Sequence, residues 1–223
     1  MTIAAVIFDL DGLLIDSEPL WQEAEILGFK KVGVNLTTKL CQQTQGLRID
    51  EVVDYWYRRY PWNNLSKLKV EELIVSQLIE LIYLKGKPLP GLEQAIAVVQ
   101  SKGVKIALAS SSSTIIIQAA LQKLNLTETF TQVYSAESEI LGKPHPGVYL
   151  TTAEKINVPP QSCLAIEDSL NGVLAAKAAQ MQCIAIPEAR QQNNPKFAIA
   201  DRILTSLEEL DNSVWQELNR PMV

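Results

Sequence analysis

A single histidine, three cysteines and no surplus of basic residues remove several classes of function from this 223-residue chain before any motif is considered. The lone histidine, His145, excludes a two-histidine metal site and leaves a serine triad without support. Cys41, Cys163 and Cys183 are odd in number and widely spaced, which suits neither a disulfide framework nor a zinc knuckle; reduced, partly buried thiols are expected. Lys and Arg total 20 against 25 acids, for a net charge of −5, and they are scattered, so the chain carries no electrostatic footprint for nucleic acid. There is no apolar run of membrane-spanning length, and Met1-Thr2 leads straight into an apolar segment without a charged leader or cleavage site. No membrane association, a cytoplasmic location and a monomer are therefore expected. Internal repeats and low-complexity stretches are also missing.

What is present is a hydrophobic fraction of 47%, enough to build one large core or two small ones. Ala4 to Phe8 reads as a short buried strand that runs into Asp9-Leu10-Asp11-Gly12. Residues two apart on an extended backbone face the same way, so Asp9 and Asp11 are presented together, and Gly12 lets the chain leave sharply. An isolated Asp-x-Asp is commonly a solvated strand end. Here three more polar clusters follow apolar segments: Ser110-Ser111-Ser112 after Ile106–Ala109, Gly142-Lys143-Pro144-His145-Pro146, and Glu167-Asp168-Ser169 after Cys163–Ile166.

Between the first cluster and the second the pattern turns helical. Glu18–Lys31, Ile49–Tyr60 and Val70–Leu84 carry apolar residues at three- and four-residue intervals, and Tyr55, Trp56, Tyr57, Tyr60 and Trp62 are expected to pack these helices together. The breaker-rich run 85–91 then returns the chain to a second part. There strands (Val104–Ala109, Val133–Ser135, Leu164–Ile166, Cys183–Ile186) alternate with helices (Thr114–Leu124, Gly147–Ile156, Gly172–Ala179). Such alternation predicts an α/β fold, a doubly wound, Rossmann-like parallel sheet. Residues 1–15 and 88–223 form its core and residues 16–87 an inserted helical cap. Ligands of such sheets bind beyond the carboxyl ends of the strands, where all four clusters fall.

These four motifs, in this order, resemble those of the haloacid-dehalogenase superfamily of phosphotransferases, over nearly the whole chain. Ser17-Glu18-Pro19-Leu20-Trp21 and Gly46-Leu47-Arg48-Ile49-Asp50 look most like the group of 2-deoxyglucose-6-phosphate or hexitol-phosphate phosphatases, with β-phosphoglucomutase a related alternative. The resemblance implies that Asp9, ionised at an ordinary pKa, attacks phosphorus to form an aspartyl-phosphate, and that Asp11 protonates the leaving oxygen and later deprotonates water. A phosphate dianion beside Asp9, Asp11, Glu167 and Asp168 would be repelled by about 4 kcal/mol per close charge pair, so a cation is required. The oxygen-only ligand set favours Mg²⁺. By resemblance its ligands are the Asp9 side chain, the Asp11 carbonyl and the Asp168 side chain, with Glu167 direct or through water.

Lys143, at an expected helix start, would add positive charge to the transferring group, and Ser110 with the Ser111 N–H would complete a phosphate cradle. Ser112 and Ser113 read as turn or cap residues, although Ser112 could touch substrate, and His145 reads as a residue that orients its loop. Arg48, Glu18 and Trp21 are the candidates for contact with the rest of a phosphorylated sugar or sugar alcohol. Two departures from the mutase pattern, Trp21 in place of a histidine and an arginine displaced by one residue, weigh against a mutase. A phosphate-binding regulatory protein without turnover is the remaining alternative.

Overall fold

The computed structural model describes residues 2–219. Strand β1 (Ala5–Phe8) is followed by four helices, α1 (Glu18–Lys30), α2 (Thr38–Cys41), α3 (Ile49–Arg59) and α4 (Lys67–Lys85). Strands and helices then alternate: α5 (Leu92–Gln100), β2 (Lys105–Ser110), α6 (Thr114–Lys123), β3 (Gln132–Ser135), α7 (Gly147–Lys155), β4 (Cys163–Glu167), α8 (Leu170–Ala178), β5 (Gln182–Ala185), β6 (Arg202–Ile203) and α9 (Asn212–Leu218). The six strands form one sheet in the order β3-β2-β1-β4-β5-β6, every pairing parallel. Strand order reverses beside β1, which lies between β2 and β4, and this is where an open α/β sheet forms its ligand crevice.

A parallel sheet is covered on both faces, so its strands are apolar throughout, and the two-residue period sorts their side chains into two cores. Val6, Phe8, Ile106, Leu108, Leu164 and Ile166 face one way, into the larger core that includes α5, α6 and the α1–α4 helices. Ala5, Ile7, Ala107, Ala109, Ala165 and Cys183 face the other. The small residues on that side let α7 and α8 lie close, and they bring Tyr149 under the sheet's carboxyl edge. All three cysteines are buried and unpaired.

The aromatic cluster packs the α1–α4 helices in part: Trp56 is fully buried and Trp62 sits edge-on to both Phe29 and Tyr57, whereas Tyr55 and Tyr60 are exposed. The chain enters and leaves this unit side by side, with Asp16 N donating to Lys87 O at 2.9 Å and Leu89 N to Leu14 O at 3.1 Å. Among the described residues no helix is long and apolar enough to cross a membrane.

Four elements lie outside the sequence reading: the one-turn helix α2, the two-residue strand β6 and the short α9 carry little pattern, whereas α5 has Leu92, Ala95, Ile96 and Val99 at helical spacing. Two readings need correction. α8 begins at Leu170, where the Ser169 hydroxyl caps it by accepting from Gly172 N at 3.0 Å. α7 begins only at Gly147, so Lys143 stands in the preceding loop and not at a helix start.

Candidate active site

Parallel pairing brings the carboxyl ends of β1, β2 and β4 to one edge, where the residues that follow β1 and β4 and the last residue of β2 meet in one cavity. Asp9, Ser110 and Asp168 line it, together with Asp11, Lys143 and residues of α1 and the α2–α3 loop. Asp9 N donates to Ile166 O at 3.0 Å, which extends the β1–β4 ladder by one rung and fixes the carboxylate. Lys143 reaches in from its loop. Its ammonium donates to Asp9 Oδ1 and to Glu167 Oε1, both at 2.6 Å, and to Ala109 O at 3.3 Å, and its side chain is only 2% exposed.

Glu167 is held from all sides. Oε1 also accepts from the Tyr149 hydroxyl at 2.6 Å, and Oε2 from the Ser169 hydroxyl and amide at 3.2 and 3.4 Å. It can lie there because residue 172 is glycine, since a Cβ at that position would fall 1.9 Å from the Glu167 carboxyl carbon. Gly12 has a matching role on the other flank. Its φ of +71° suits the tight exit from β1, and a Cβ there would lie 2.3 Å from Asp168 Oδ2.

Asp9, Glu167 and Asp168 are buried and can each offer an oxygen within 4.8 Å of the others. Asp9 does not keep an ordinary pKa. Burial, reinforced by Glu167 and Asp11 and only partly offset by Lys143, pushes its carboxyl up to about 8 when only protein groups are considered. Burial, with Asp9 and Glu167 beside it and only partial relief from Lys143, likewise holds the Asp168 carboxyl well above the ordinary carboxylate range. Burial also opposes the charge on Lys143, but the Asp9 and Glu167 carboxylates outweigh it and hold the ammonium protonated. The cluster thus sets three acids around one lysine. Its donors are all oxygens, a set that fits a hard divalent cation.

Asp11 is half-buried and points its carboxylate across the cavity. Oδ1 accepts from the Ser17 hydroxyl at 2.7 Å and from Trp21 Nε1 at 3.0 Å, and Oδ2 from the Ser112 hydroxyl at 2.6 Å. Ser17 and Tyr149 are not singled out by the sequence, and Ser112 only as a residue that could touch substrate. For Ser17 a local signal existed, a hydroxyl just before a helix that starts within a few residues of the Asp pair. Tyr149 gave none, because only the packing of α7 under the sheet reveals it.

The other sequence candidates are distributed unevenly. Ser110 and Ser111 line the cavity; the Ser110 hydroxyl accepts from Ser112 N at 3.0 Å, and the Ser111 hydroxyl donates to Gly46 O at 3.3 Å. Glu18 lines it too, accepting from Gln22 Nε2 at 2.9 Å. Trp21 also lines the cavity, but its one N–H is engaged by Asp11. Arg48 is not brought in. Its guanidinium donates to Ala136 O at 3.1 Å, to Glu139 O at 2.6 Å and bidentately to Asp50, while Glu51 accepts from Gly142 N at 3.3 Å. The start of α3 therefore grips the segment that leads to Lys143. His145 shapes its own loop, accepting from Gly147 N at 3.2 Å through Nδ1.

Comparison with known proteins agrees with this geometry. The chain is 44% identical over 209 residues to hexitol phosphatase B of Escherichia coli (strain K12), covering 93% of this chain and 94% of that protein. It is 33% identical over 186 residues to a phosphorylated carbohydrates phosphatase of Thermotoga maritima, covering 81% and 83%. Among solved structures, CbbY from Rhodobacter sphaeroides in complex with phosphate superposes with a TM-score of 0.86 at 26% identity, covering 93% of this chain and 96% of that one. The β-phosphoglucomutase from Clostridium difficile superposes with a TM-score of 0.83 at 27% identity, covering 96% of each. Residues 3–180 match the family described as haloacid dehalogenase-like hydrolase, and with a parallel sheet that gathers the four polar motifs at one edge, the chain belongs to that family.

Proposed function

We propose that this protein is a Mg²⁺-dependent phosphatase of small sugar or sugar-alcohol phosphates that works through Asp9. The observation that carries this reading is the meeting of Asp9, Lys143 and the Asp168 carboxylate at the sheet's carboxyl edge, with Asp11 across the cavity. The substrate class rests on the names of the relatives, a hexitol phosphatase and a phosphorylated carbohydrates phosphatase.

Asp9 and Asp168, with the Asp11 carbonyl, would hold Mg²⁺. Glu167 would act through water, because both of its oxygens already accept hydrogen bonds. When bound, the ion supplies charge neutralisation for the phosphoryl oxygens and for Asp9, which its own surroundings otherwise push toward protonation. Lys143 orients Asp9 and meets charge on the transferring group. Asp9 attacks phosphorus, the ester bond breaks, and Asp11 delivers a proton to the departing alkoxide. Asp11 then takes a proton from water as that water attacks the aspartyl-phosphate, releasing inorganic phosphate and restoring Asp9. Ser110 and the Ser111 amide would receive phosphate oxygens that are not transferred.

Residues 16–87 would form the cap, bounded by the hydrogen-bonded entry and exit segments at 14–16 and 87–89. A cytoplasmic location is supported by the three free cysteines. The test is phosphate release from hexitol, hexose and p-nitrophenyl phosphates. Mg²⁺ should support it and EDTA abolish it, and full turnover in chelator would refute the reading.

A further inference from the structure

One face of α1 roofs the cavity. Glu18, Trp21, Gln22 and Glu25 recur at the three- and four-residue spacing that stacks side chains on one side of a helix, and all four line the cavity that contains Asp9 and Asp11. An inward stripe of this kind is ordinarily apolar. One turn further on it is so, at Phe29, whose ring packs edge-on against Trp62 at 5.9 Å between centroids. Within the cavity, three of the four positions are polar instead.

Glu25 is only partly paired within the fold. Its residue is 6% exposed, and its Oε2 has no hydrogen-bond partner among the described residues. The Cys41 thiol lies beside it, and burial pushes the carboxyl up to about 8. A buried carboxyl with an open oxygen lowers stability, so its presence points to something that completes it from the cavity.

The charges around the cavity narrow what that can be. Its lining holds Asp9, Asp11, Glu18, Glu25 and Asp168 against one cation, Lys143, which is committed to the opposite wall. Arg48 is turned to Ala136, Glu139 and Asp50, and Arg190 is paired with Glu188 at 2.8 Å and lies 3.7 Å from Glu18. Neither arginine lines the cavity.

Resting on the phosphatase reading, we infer that Glu25, with Gln22 and Glu18, is the specificity site: it receives the hydroxyl groups of an uncharged polyol chain remote from phosphorus, and turns away substrates that carry a second phosphate or carboxylate. Each hydroxyl both donates and accepts, and a carboxyl beside an amide offers the complement to both. A second anion would meet carboxyl groups with no free cation. The same property disfavours mutase turnover, because handing the phosphoryl group of the aspartyl-phosphate to a sugar phosphate creates a bisphosphate that this roof would have to hold.

The test uses the full chain with Mg²⁺ and three substrates: glucitol 6-phosphate, glucitol 1,6-bisphosphate, and n-hexyl phosphate, which has the same chain length without hydroxyls. Wild type should favour the monophosphate over the bisphosphate by about 100-fold in kcat/KM. Glu25→Gln and Glu25→Leu should each lower the ratio of kcat/KM for glucitol 6-phosphate to that for n-hexyl phosphate by about 10-fold or more. Glu25→Leu should melt at or above the wild-type temperature, as expected when a buried polar group serves a ligand and not the fold. A ratio unchanged in both variants overturns the inference, and so does a bisphosphate hydrolysed as well as the monophosphate. If wild type releases phosphate from none of the three, the phosphatase reading falls and takes this inference with it; turnover without discrimination removes the Glu25 assignment alone.

Discussion

On the floor of the cavity Glu167 commits both oxygens to Lys143, Tyr149 and Ser169, whereas on the roof Glu25, also buried, leaves one oxygen open. The floor's hydrogen bonds link groups drawn from β1, β2, β4, α7 and the loop before it, so its geometry is set before any ligand arrives. The roof is a single helix face whose polar groups are incompletely paired. The difference separates chemistry common to every phosphomonoester, which needs fixed charges, from recognition of one leaving group, which needs groups waiting for a partner. Asp11 belongs to both walls, because its hydrogen bonds come from Ser112 on one side and from Ser17 and Trp21 on the other.

The strongest break of the comparison is at the nucleophile. Asp9→Asn keeps the shape and removes the attacking charge, so phosphate release from every substrate should fall by about 10⁴-fold or more. A folded variant with near wild-type turnover in a phosphate assay would refute covalent catalysis. Next is Lys143→Ala, which should lower kcat for all phosphomonoesters by about 10² to 10³. It should also lower the melting temperature in chelator, because removing one partner strands the buried Asp9 and Glu167 carboxylates.

Trp21→Phe sharpens the boundary between the walls. It retains the ring and deletes only the N–H that Asp11 accepts, so it should cost about 10-fold in kcat on glucitol 6-phosphate and n-hexyl phosphate alike. A loss confined to the polyol substrate would return Trp21 to a purely recognition role.

The smallest effect concerns pH. Glu25 is ordinarily a carboxyl of pKa 4.5 and is raised to about 8 by burial, so the folded state binds a proton that the unfolded chain has lost between those values. The stability associated with this proton is fully present below 4.5 and disappears as pH rises toward 8. Glu25→Gln should flatten the fall in melting temperature across that window, measured in chelator by thermal denaturation at stepped pH. An unchanged slope would mean that Glu25 is ionised in the fold.

Much of the floor was legible in the sequence because its signals are local. Asp9, Asp11, Ser110, Glu167 and Asp168 each follow an apolar strand, and parallel strands deliver their ends to one edge. Lys143 was found by its motif, but its loop setting was not, because Pro144 and Pro146 look alike before a helix and inside a turn. The roof was harder to read. Which face of α1 meets the cavity depends on how the helix rolls against α4, so Glu18 and Trp21 were visible as the helix start while Gln22 and Glu25, on the same face, were not. Arg48 lies outside the cavity for a related reason. A cation beside a glycine suggests an anion site, whereas here backbone carbonyls from β3's exit, far away in sequence, occupy it.

That grip on the 136–142 segment has a mechanical meaning. Arg48 and Glu51 stand at the foot of α3 and hold the tether of Lys143 by two carbonyls and an amide. Any swing that lifts α3 from the sheet must break those bonds or drag the tether with it. Outward movement of α3 and slackening of the ammonium's anchorage would then be one event.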